Sequence, residues 1–381
     1  MKILFLTSSL NAGGAERVAT TLCNAWSARG HTVTLVPTFS GGGQPFYEIS
    51  SAVELVPLAD LVGSTQKGVR SSVRRLFALR RLIASRRPDV MISFLPNVNV
   101  ATIISSAFMG IPRIVCERSD PSARSQMAPW EVACRLTYRY ADMLTVQTSA
   151  VAAKVRRLYP GVARVGVIPN PLPDGIASSR VPRDSGRQVL LSMGRLSEEK
   201  QVGHLIDAFN SIAPGCPDWD LHIYGDGPLR STLESQAQQF GWQGRIMFKG
   251  STREPWKVMA GADAFVMTSR YEGFPNALLE AMAAGLPCVA TDCPSGPREI
   301  TVNGTDALLV PPDNHAALCT ALSDLMSNAP LRAMLSERGR ASVTGRFSLN
   351  AVLAIWDQFF DQVLASAAHH QDGATQEGDV I

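Results

Sequence analysis

The sequence predicts two α/β domains, each a parallel β-sheet wrapped by helices. Three observations predict this fold class: a length of 381 residues, short β-rich runs that alternate with helical patterns, and a break in that alternation near residue 170. A chain of this length commonly forms two domains of roughly 100–200 residues. Alternating strands and helices favour a parallel sheet. We therefore expect two doubly wound domains that face each other across a cleft, with ligands beyond the carboxyl ends of the strands.

The first domain is predicted to span residues 1–172. Its strands are Lys2–Thr7, His31–Pro37, Asp89–Phe94, Arg113–Glu117 and Met143–Gln147. The run Ile3–Leu6 is too short for the apolar core of a signal peptide and indicates a buried first strand. The helical stretch Ala15–Arg29 places Val18, Leu22 and Trp26 on one face and is ended by Gly30.

The second domain is predicted to span residues 188–348, after a polar linker at 173–187. Its strands are Gln188–Met193, Asp220–Tyr224, Arg245–Phe248, Ala264–Thr268, Pro287–Ala290 and Ala307–Val310. A final helix at about 349–365 is expected to complete the first domain. The small and polar residues of 366–381 predict a disordered tail.

Composition narrows the function classes. With 45% apolar and 18% charged residues the chain can bury two cores, and it is not a disordered protein. A net charge of +3 does not point to nucleic acid as a partner. Seven cysteines without a Cys-x-x-Cys pair indicate reduced thiols in a cytoplasmic protein. The longest apolar stretch falls short of the ~20 residues that a membrane-spanning helix needs.

A glycine loop follows the first strand. Gly13 and Gly14 stand at the turn from strand to helix, where glycine permits close approach to a ligand and free N–H groups face an anion. The loop is neither Gly-x-Gly-x-x-Gly nor a phosphate loop, which disfavours a dinucleotide oxidoreductase or an NTPase. A plain tight turn and a ligand-facing loop both fit this pattern.

Further candidate ligand-binding residues follow two predicted strands of the second domain. Gly194 follows a strand, and Arg195 and Lys200 come after it at a spacing suited to clamping a diphosphate. Gly225 and Gly227 follow the next strand and permit close approach of the backbone. Taken alone, a surface Arg/Lys pair is usually solvated, and a glycine pair is often a simple β-to-α turn.

The third group is a pair of carboxylates eight residues apart, Glu272 and Glu280. Glu272 precedes a helix and Glu280 lies about two turns inside it. Carboxylates make charge-assisted hydrogen bonds to hydroxyl groups, so two of them suit a ligand with both a sugar and a ribose. Backbone N–H groups of the intervening loop are placed for phosphate or sugar oxygens; its residues are Gly273, Phe274, Pro275 and Asn276.

These residues together resemble the retaining, GT-B-fold glycosyltransferases of family 4. Glu272 to Glu280 resembles that family's Glu-x7-Glu signature, and four more pieces follow the same order as its other motifs. Those pieces are Gly13–Arg17, Pro169–Pro171, Gly194–Leu196 with Lys200, and Gly225–Gly227. The resemblance covers about Met1 to Ala365. Within the family, the chain looks most like the lipid-linked-oligosaccharide GalNAc transferases of bacterial glycan assembly.

The resemblance implies roles for these residues. Arg195 and Lys200 would hold the donor diphosphate, Glu280 the ribose, and Glu272 the transferred sugar. Gly14 would lie beside the donor phosphates or the acceptor. The remaining donor-binding candidates are Gly194, Gly225, Gly273, Phe274, Pro275 and Asn276. Gly13 and Glu16 are candidates for the acceptor side.

One departure from the family concerns Arg118, which stands where several relatives have a His that contacts the reacting sugar. Arg cannot cycle a proton near neutral pH, so we expect Arg118 to position the acceptor or stabilise phosphate charge. The departing phosphate itself is then available as the base. No Asp-x-Asp-like pair follows a strand near these motifs. We therefore expect no metal and no cofactor, with the Arg195–Lys200 clamp stabilising the leaving group.

A basic segment runs from Leu61 to Pro88 and carries eight Lys or Arg residues and no acid. At 100° per residue, Arg70, Arg74 and Arg81 form one stripe. A second, apolar face is predicted from Val69, Val73, Leu76 and Ile83. Basic amphipathic helices are typical of surfaces that bind membranes or polyanions, although a solvated face has the same pattern.

The sequence thus predicts a retaining glycosyltransferase that uses a UDP-sugar, of the GalNAc, GlcNAc, Gal or Glc type, and a polyprenyl-diphosphate-linked acceptor. It would be cytoplasmic and peripheral, on the inner face of the cytoplasmic membrane, with anionic lipid as a partner. Two alternatives fit the same fold. A nucleotide-sugar epimerase would work on the soluble donor alone and would not need the basic helix. The intact Glu272, Glu280, Arg195 and Lys200 argue against a non-catalytic sugar-nucleotide-binding protein.

Overall fold

The computed structural model describes residues 1–11, 13–39, 44–63, 68–121, 129–173, 175–176, 186–242 and 244–376. The chain divides into two compact units. The first is Met1–Asn170 with the segment from Val352 onward, and the second is Pro171–Ala351. Most of the predicted linker 173–187 lies outside the described residues. The domain boundaries drawn from the sequence therefore stay predictions.

The first unit is built on a parallel sheet. Its described strands are β1 (Lys2–Thr7), β2 (Thr32–Pro37), β3 (Glu54–Leu55), β4 (Val90–Phe94), β5 (Arg113–Cys116), β6 (Met143–Val146) and β7 (Val165–Val167). They are ordered β3-β2-β1-β4-β5-β6-β7. Five of them lie within one residue of their predicted bounds. The sequence did not predict β3 and β7, because strands of two and three residues leave almost no alternation to detect.

Helices cover this sheet. They are α1 (Gly14–Ala28), α2 (Leu58–Val62), α3 (Val69–Arg86), α4 (Pro96–Ser105), α5 (Pro129–Thr137), α6 (Ser149–Leu158) and, for most of its length, α14 (Leu349–Gln376). The predicted buried face of α1 is confirmed, since Val18, Leu22 and Trp26 are all buried. Trp26 packs its ring on Trp356 at 5.4 Å and on Phe360 at 5.5 Å. These aromatic contacts attach α14 to α1.

The predicted disordered tail is wrong over its first part. Helix α14 continues from Leu349 to Gln376, ten residues beyond Ser366. Extending a helix that already exists adds a hydrogen bond for each residue fixed and needs no new nucleus. The segment contains no proline and is rich in alanine and glutamine, which are good helix formers. Residues 377–381 of the predicted tail lie outside the described residues.

The second unit repeats the architecture. Its described strands are β8 (Gln188–Met193), β9 (Trp219–Tyr224), β10 (Ile246–Gly250), β11 (Ala264–Met267), β12 (Cys288–Thr291) and β13 (Leu308–Val310). Its helices are α7 (Val202–Ile212), α8 (Arg230–Gln239), α9 (Pro255–Ala260), α10 (Asn276–Ala283), α11 (Pro297–Ile300), α12 (His315–Ser327) and α13 (Ala329–Phe347). All six strands were predicted within two residues.

Both sheets wind in the same way. In the second unit the parallel strands are ordered β10-β9-β8-β11-β12-β13, so the chain builds outward from β8 in one direction and then from β11 in the other. The first sheet does the same around β1 and β4. The predicted doubly wound α/β fold is confirmed. Each sheet therefore has a switch point, where the loops after its two central strands diverge and leave a crevice for a ligand.

Candidate active site

The switch point of the second unit gathers most of the predicted donor residues. Gly194 and Arg195 follow β8, Glu272 lies in the segment after β11, and β8 and β11 are neighbours in the sheet. Because both strands end at the same edge, the two segments lie side by side. The sequence alone did not give this strand order.

The loops after β8 and β9 pack backbone against backbone. The Gly194 N–H donates to the Tyr224 carbonyl at 3.0 Å, and the Leu196 N–H donates to the Asp226 carbonyl at 2.9 Å. Gly225 has φ of +136°, and a Cβ there would lie 1.8 Å from the Gly194 oxygen. Gly225 therefore supports the Gly194 loop. Contact between Gly225 and a donor stays a prediction.

Replacing Gly225 with Ala is expected to lower the free energy of unfolding by at least about 2 kcal/mol, since backbone strain of this kind alone costs about 1–3 kcal/mol. The displaced Gly194 loop should also raise the donor KM. Urea denaturation measures the first effect. Gly215→Ala is the matched control, because a Cβ there meets no heavy atom within 4 Å. Equal stability of the two variants would contradict this close approach.

Lys200 and Glu272 form an ion pair at the centre of the site. The Lys200 Nζ lies 2.6 Å from Glu272 Oε1, and the Ser269 hydroxyl donates to the same oxygen at 2.6 Å. The Glu272 side chain is only 12% exposed. An ammonium group carries three N–H donors, so Lys200 can hold Glu272 and a phosphate oxygen together. The sequence predicted both residues in the site but not their pairing.

Residues that the sequence analysis missed hold the Lys200 segment in place. The Thr268 hydroxyl donates to the Lys200 carbonyl at 3.0 Å, and the Arg270 N–H donates to the Glu199 carbonyl at 2.8 Å. Thr268 and Arg270 come directly after β11. A polar residue at the end of a predicted strand was therefore the feature of the sequence that could have identified them. Arg195 is exposed on the same loop. The loop after β8 is therefore fixed by the segment after β11.

Asp313 provides a second anchor for the same segment. Its carboxylate accepts hydrogen bonds from Gln201 Nε2 at 2.6 Å and Arg270 Nη2 at 3.1 Å. These two bonds lower the pKa of the Asp313 carboxyl. Gln201 sits in the left-handed region with φ of +49°, directly after Lys200. The bond to Asp313 helps to hold this uncommon backbone conformation and with it the position of Lys200.

The segment from Glu272 to Asn276 is held by the loop after β12. The Ser295 hydroxyl donates to the Glu272 carbonyl, and a Cβ on Gly296 would lie 2.3 Å from Pro275 Cδ. Phe274 is buried against the Phe347 ring at 5.9 Å. Gly273 lies between these anchored residues. No pattern in the sequence indicated Ser295 or Gly296. Both lie more than twenty residues along the chain from the segment that they contact.

Glu280 lies in the second turn of α10, which begins at Asn276. It is 3% exposed, among Leu278 and Leu279, which are buried as predicted. A carboxylate is tolerated in such a buried position when it is hydrogen-bonded, and Glu280 has an interaction partner within the protein. Its contact with a ribose stays a prediction.

In the first unit, Gly13 and Glu16 lie together at the start of α1. Gly13 is extended, and a Cβ there would lie 2.2 Å from Glu16 Oε2. The Ser9 hydroxyl donates to Glu16 Oε1 at 3.1 Å. A carboxylate in the first helical turn interacts favourably with the helix dipole. Glu16 thus takes up space beside the loop where an anion was expected. Gly14 is the first residue of α1, and its contact with the donor phosphates or the acceptor stays a prediction.

Arg118 follows β5 and is buried. Its guanidinium lies over the Phe94 ring at 4.1 Å and donates from Nη2 to the Asn170 side chain. Burial lowers its pKa to about 10, so it remains protonated at neutral pH. Its Nε is buried without a hydrogen-bond partner in the described part of the chain. The prediction that Arg118 does not transfer protons fits these facts, and its acceptor contact stays a prediction.

The basic stripe on α3 is exposed as predicted, with Arg70, Arg74 and Arg81 all facing solvent. The predicted apolar face is partly wrong. Val73 is 45% exposed, and Phe77, at 65%, lies beside the stripe. Ile83 is buried as predicted, but the buried face also carries Leu79, Leu82 and Arg75. The buried face is shifted because these two leucines bury more apolar area than Val73 would. Lys67 lies outside the described residues.

The described residues contain neither a cluster of potential metal ligands nor a helix suited to crossing a membrane. No group of three or more His, Cys, Asp or Glu side chains that could hold a metal ion occurs in the described part of the chain. None of the helices within those same ranges is both long and apolar enough to cross a bilayer.

Two family models match the sequence, one in each half. The model described as Glycosyltransferase Family 4 matches residues 12–174. The model described as Glycosyl transferases group 1 matches residues 177–342. The boundary between the two matches lies close to the boundary between the structural units at Asn170 and Pro171.

Several known proteins are similar to most of this chain. The exopolysaccharide phosphotransferase SCO2592 of Streptomyces coelicolor is 29% identical over 96% of this chain and 41% of its own length. An undecaprenol-linked glycan α-1,4-N-acetyl-D-galactosaminyltransferase of Campylobacter jejuni is 27% identical over 87% of this chain and 90% of its own. The chain therefore spans less than half of the first relative and nearly all of the second.

Among solved structures, Anabaena Alr3699/HepE in complex with UDP and glucose has a TM-score of 0.75 to this chain at 20% identity. The superposition covers 96% of this chain and all of the other. A similarity at this level of sequence identity shows that the two proteins share a fold.

Proposed function

Because this chain belongs to the GT-B glycosyltransferases of family 4, we propose that it transfers a sugar from a nucleotide-diphosphate donor to a lipid-linked saccharide during assembly of a surface glycan. The observation that carries the proposal is the meeting of Lys200 and Glu272 at the ends of neighbouring strands, with Arg195 exposed on the same loop. A cation pair beside a carboxylate suits a ligand with a diphosphate at one end and hydroxyl groups at the other.

The donor is a UDP-sugar in this proposal. Support comes from the HepE structure, which contains UDP and shares the fold. Arg195 binds the diphosphate as a fork and Lys200 binds it as a point charge. Glu280 accepts from the ribose hydroxyls, and Glu272 accepts from a hydroxyl of the transferred sugar. Ser269 and Lys200 already occupy Glu272 Oε1, so Oε2 is the oxygen assigned to the sugar.

The proposed reaction retains the configuration of the anomeric carbon. The bond between that carbon and the β-phosphate oxygen breaks, and a bond to the acceptor hydroxyl oxygen forms on the same face. The acceptor proton passes to the departing phosphate oxygen, so no protein base is required. Negative charge grows on the diphosphate as the bond breaks, and Arg195 and Lys200 stabilise it without a metal ion.

The proposed acceptor is a polyprenyl-diphosphate-linked saccharide held at a membrane surface. Support comes from the Campylobacter relative, whose name describes an undecaprenol-linked acceptor. The exposed Arg70, Arg74 and Arg81 on α3 would contact anionic headgroups or the lipid diphosphate. Gly13, Glu16 and Arg118 are proposed for the acceptor side of the same unit. The proposed enzyme is therefore cytoplasmic and peripheral.

An assay with a panel of UDP-sugars tests the proposed function. The purified chain is incubated with each donor and a polyprenyl-diphosphate saccharide, and product mass and UDP release are measured. We expect stoichiometric UDP release that depends on the acceptor. Release of a changed free sugar without an acceptor would identify an epimerase instead, and nucleotide binding without turnover would identify a non-catalytic protein.

Chelation is expected to leave transfer unchanged, because the Arg195–Lys200 clamp supplies the positive charge that a metal ion would otherwise provide. The measurement is the initial rate in EDTA and in the presence of added Mg²⁺ or Mn²⁺. A rate that is lost in EDTA and restored by either ion would show that the clamp is not sufficient.

Replacing Arg70, Arg74 and Arg81 with Gln is expected to weaken binding to anionic liposomes by about a hundred-fold, at about 1 kcal/mol for each basic residue near the surface. Transfer to the lipid acceptor should slow, whereas donor affinity should not change. Liposome sedimentation at two salt concentrations measures the first effect. Lys249, Arg338 and Arg340, exposed in the second unit, are replaced with Gln in a charge-matched control. Parent-like binding by the α3 variant would remove the membrane part of this proposal.

A further inference from the structure

A cavity of about 400 Å³ opens beside the end of α5 in the first unit. Its lining residues are Arg135, Arg139, Arg157, Leu158, Tyr159, Pro160, Gly161 and Val162. Three arginines thus line one space, and the lining residues within the described part of the chain include no acidic side chain. Arginine is the side chain best suited to binding phosphate, because its planar fork matches two oxygens at once. The lining therefore has the chemistry of a phosphate site.

Buried residues fix the shape of this cavity. Tyr138, directly after α5, packs its ring 5.0 Å from that of Tyr159, and the Tyr159 hydroxyl donates to the buried Glu131. A Cβ on Gly161 would lie 3.2 Å from the Cβ of Arg139. These contacts attach the end of α6 and the following turn to α5. The arginines therefore project from a preformed support.

Large apolar side chains are exposed next to the arginines. Leu136 is 61% exposed and Tyr140 is 59% exposed, and both lie in sequence beside a cavity arginine. Val132, one turn before Leu136, is also exposed, as is Trp130 at the start of the helix. Clustered exposed apolar residues mark an interaction surface. Tyrosine and tryptophan in particular are enriched where protein meets the membrane interface.

A bilayer is the partner that satisfies both features together. It offers phosphate groups at its surface and an apolar region directly below them. Helix α4 packs against both α3 and α5, and it exposes Ile104, with the fully exposed Phe108 just beyond its end. The α5 surface is thus adjacent, through α4, to the basic stripe of α3. A small soluble anion would leave the exposed Leu136 and Tyr140 unexplained.

We propose that Arg135, Arg139 and Arg157 bind the phosphate of an anionic phospholipid headgroup while Leu136 and Tyr140 enter the bilayer interface. This lipid site goes beyond the proposed function, because it involves neither the donor loops nor α3. Vesicle binding needs no donor and no turnover. Failure of the lipid site and failure of the proposed reaction are therefore separate results.

The test compares three variants of the full chain with the parent. In the arginine variant, Arg135, Arg139 and Arg157 are replaced with Gln. The apolar variant combines Leu136→Ser with Tyr140→Ser. In the charge-matched control, Lys249, Arg338 and Arg340 are replaced with Gln. Partition onto phosphatidylcholine vesicles with and without phosphatidylglycerol is measured by sedimentation. Thermal unfolding checks that each variant is folded. Calorimetric titration with inorganic phosphate at constant ionic strength distinguishes a soluble anion from a headgroup.

We expect the parent to bind phosphatidylglycerol vesicles and the arginine variant to bind them about a hundred-fold more weakly. The apolar variant should lose about tenfold, since it leaves charge intact but removes buried apolar area. The control should match the parent. Parent-like vesicle binding by the arginine variant would overturn the proposal, as would an equal loss in the control. If the protein binds inorganic phosphate through these arginines but does not bind vesicles, the cavity is a site for a soluble anion. That result would also overturn the proposal.

Discussion

Replacing Lys200 with Ala is expected to lower kcat/KM for the donor by on the order of a hundred-fold, and Arg195→Ala by about tenfold. In the proposed donor site, each variant loses a charge-assisted contact to the diphosphate, which contributes about 1.5–3 kcal/mol. Lys200→Ala should cost more, because it also leaves the Glu272 carboxylate without the cation that lies 2.6 Å away. Removing one partner of a partly buried ion pair destabilises the charge that remains.

Steady-state kinetics with saturating acceptor measure both effects, and calorimetry with UDP isolates the binding component. Lys257→Ala is the matched control, since Lys257 is an exposed lysine of the same unit whose ion pair within the described residues is with the neighbouring, exposed Glu254. Near-parent kinetics in both Arg195→Ala and Lys200→Ala would mean that the diphosphate binds elsewhere.

Exchanging each carboxylate for an amide is expected to separate the roles of Glu272 and Glu280. Glu272→Gln should lower kcat by about ten- to a hundred-fold, because its contact to the moving sugar strengthens as charge develops at the anomeric carbon. Its donor KM should stay the same or fall, since Lys200 is then released toward the diphosphate. Glu280→Gln should raise the donor KM about tenfold with little change in kcat, because ribose contacts are similar in the ground and transition states.

The measurement is kcat and KM for each variant with the same donor and acceptor. Gln keeps the size of Glu, so both variants retain the packing of α10 and the segment before it. A KM effect confined to Glu272→Gln and a kcat effect confined to Glu280→Gln would show that the two roles are the reverse of those assigned.

Most strands of both sheets could be predicted from the sequence because they are short, buried, β-rich runs bounded by glycine, proline or polar residues. What the sequence could not supply was strand order. The neighbourhood of β8 and β11 brings Lys200 beside Glu272, with Arg195 on the same loop as Lys200. It depends on crossover connections that no local pattern encodes. The resemblance to a family supplied that grouping, and the structure supplied its geometry.

The supporting residues of the site could not be predicted for a related reason. Gln201 and Asp313 are separated by 112 positions, yet their side chains hydrogen-bond at 2.6 Å. Ser295 and Gly296 lie in a short loop whose composition is that of any turn. The shift of the buried face of α3 was also missed, because a helical pattern of arginines identifies the exposed stripe but does not decide which apolar residues fill the buried face. Packing against the sheet buries Leu79 and Leu82 beside Ile83, which was predicted.

A structure of this chain with UDP bound is the sharpest test of the proposed donor site, since it locates the diphosphate without relying on turnover. We predict diphosphate oxygens within hydrogen-bond distance of the Arg195 guanidinium and of Lys200 Nζ, with the ribose hydroxyls on Glu280. The Lys200–Glu272 pair should persist, with the ammonium group shared between carboxylate and phosphate. A nucleotide bound away from the ends of β8 and β11, or one whose phosphates touch neither Arg195 nor Lys200, would show that the proposed donor site is wrong.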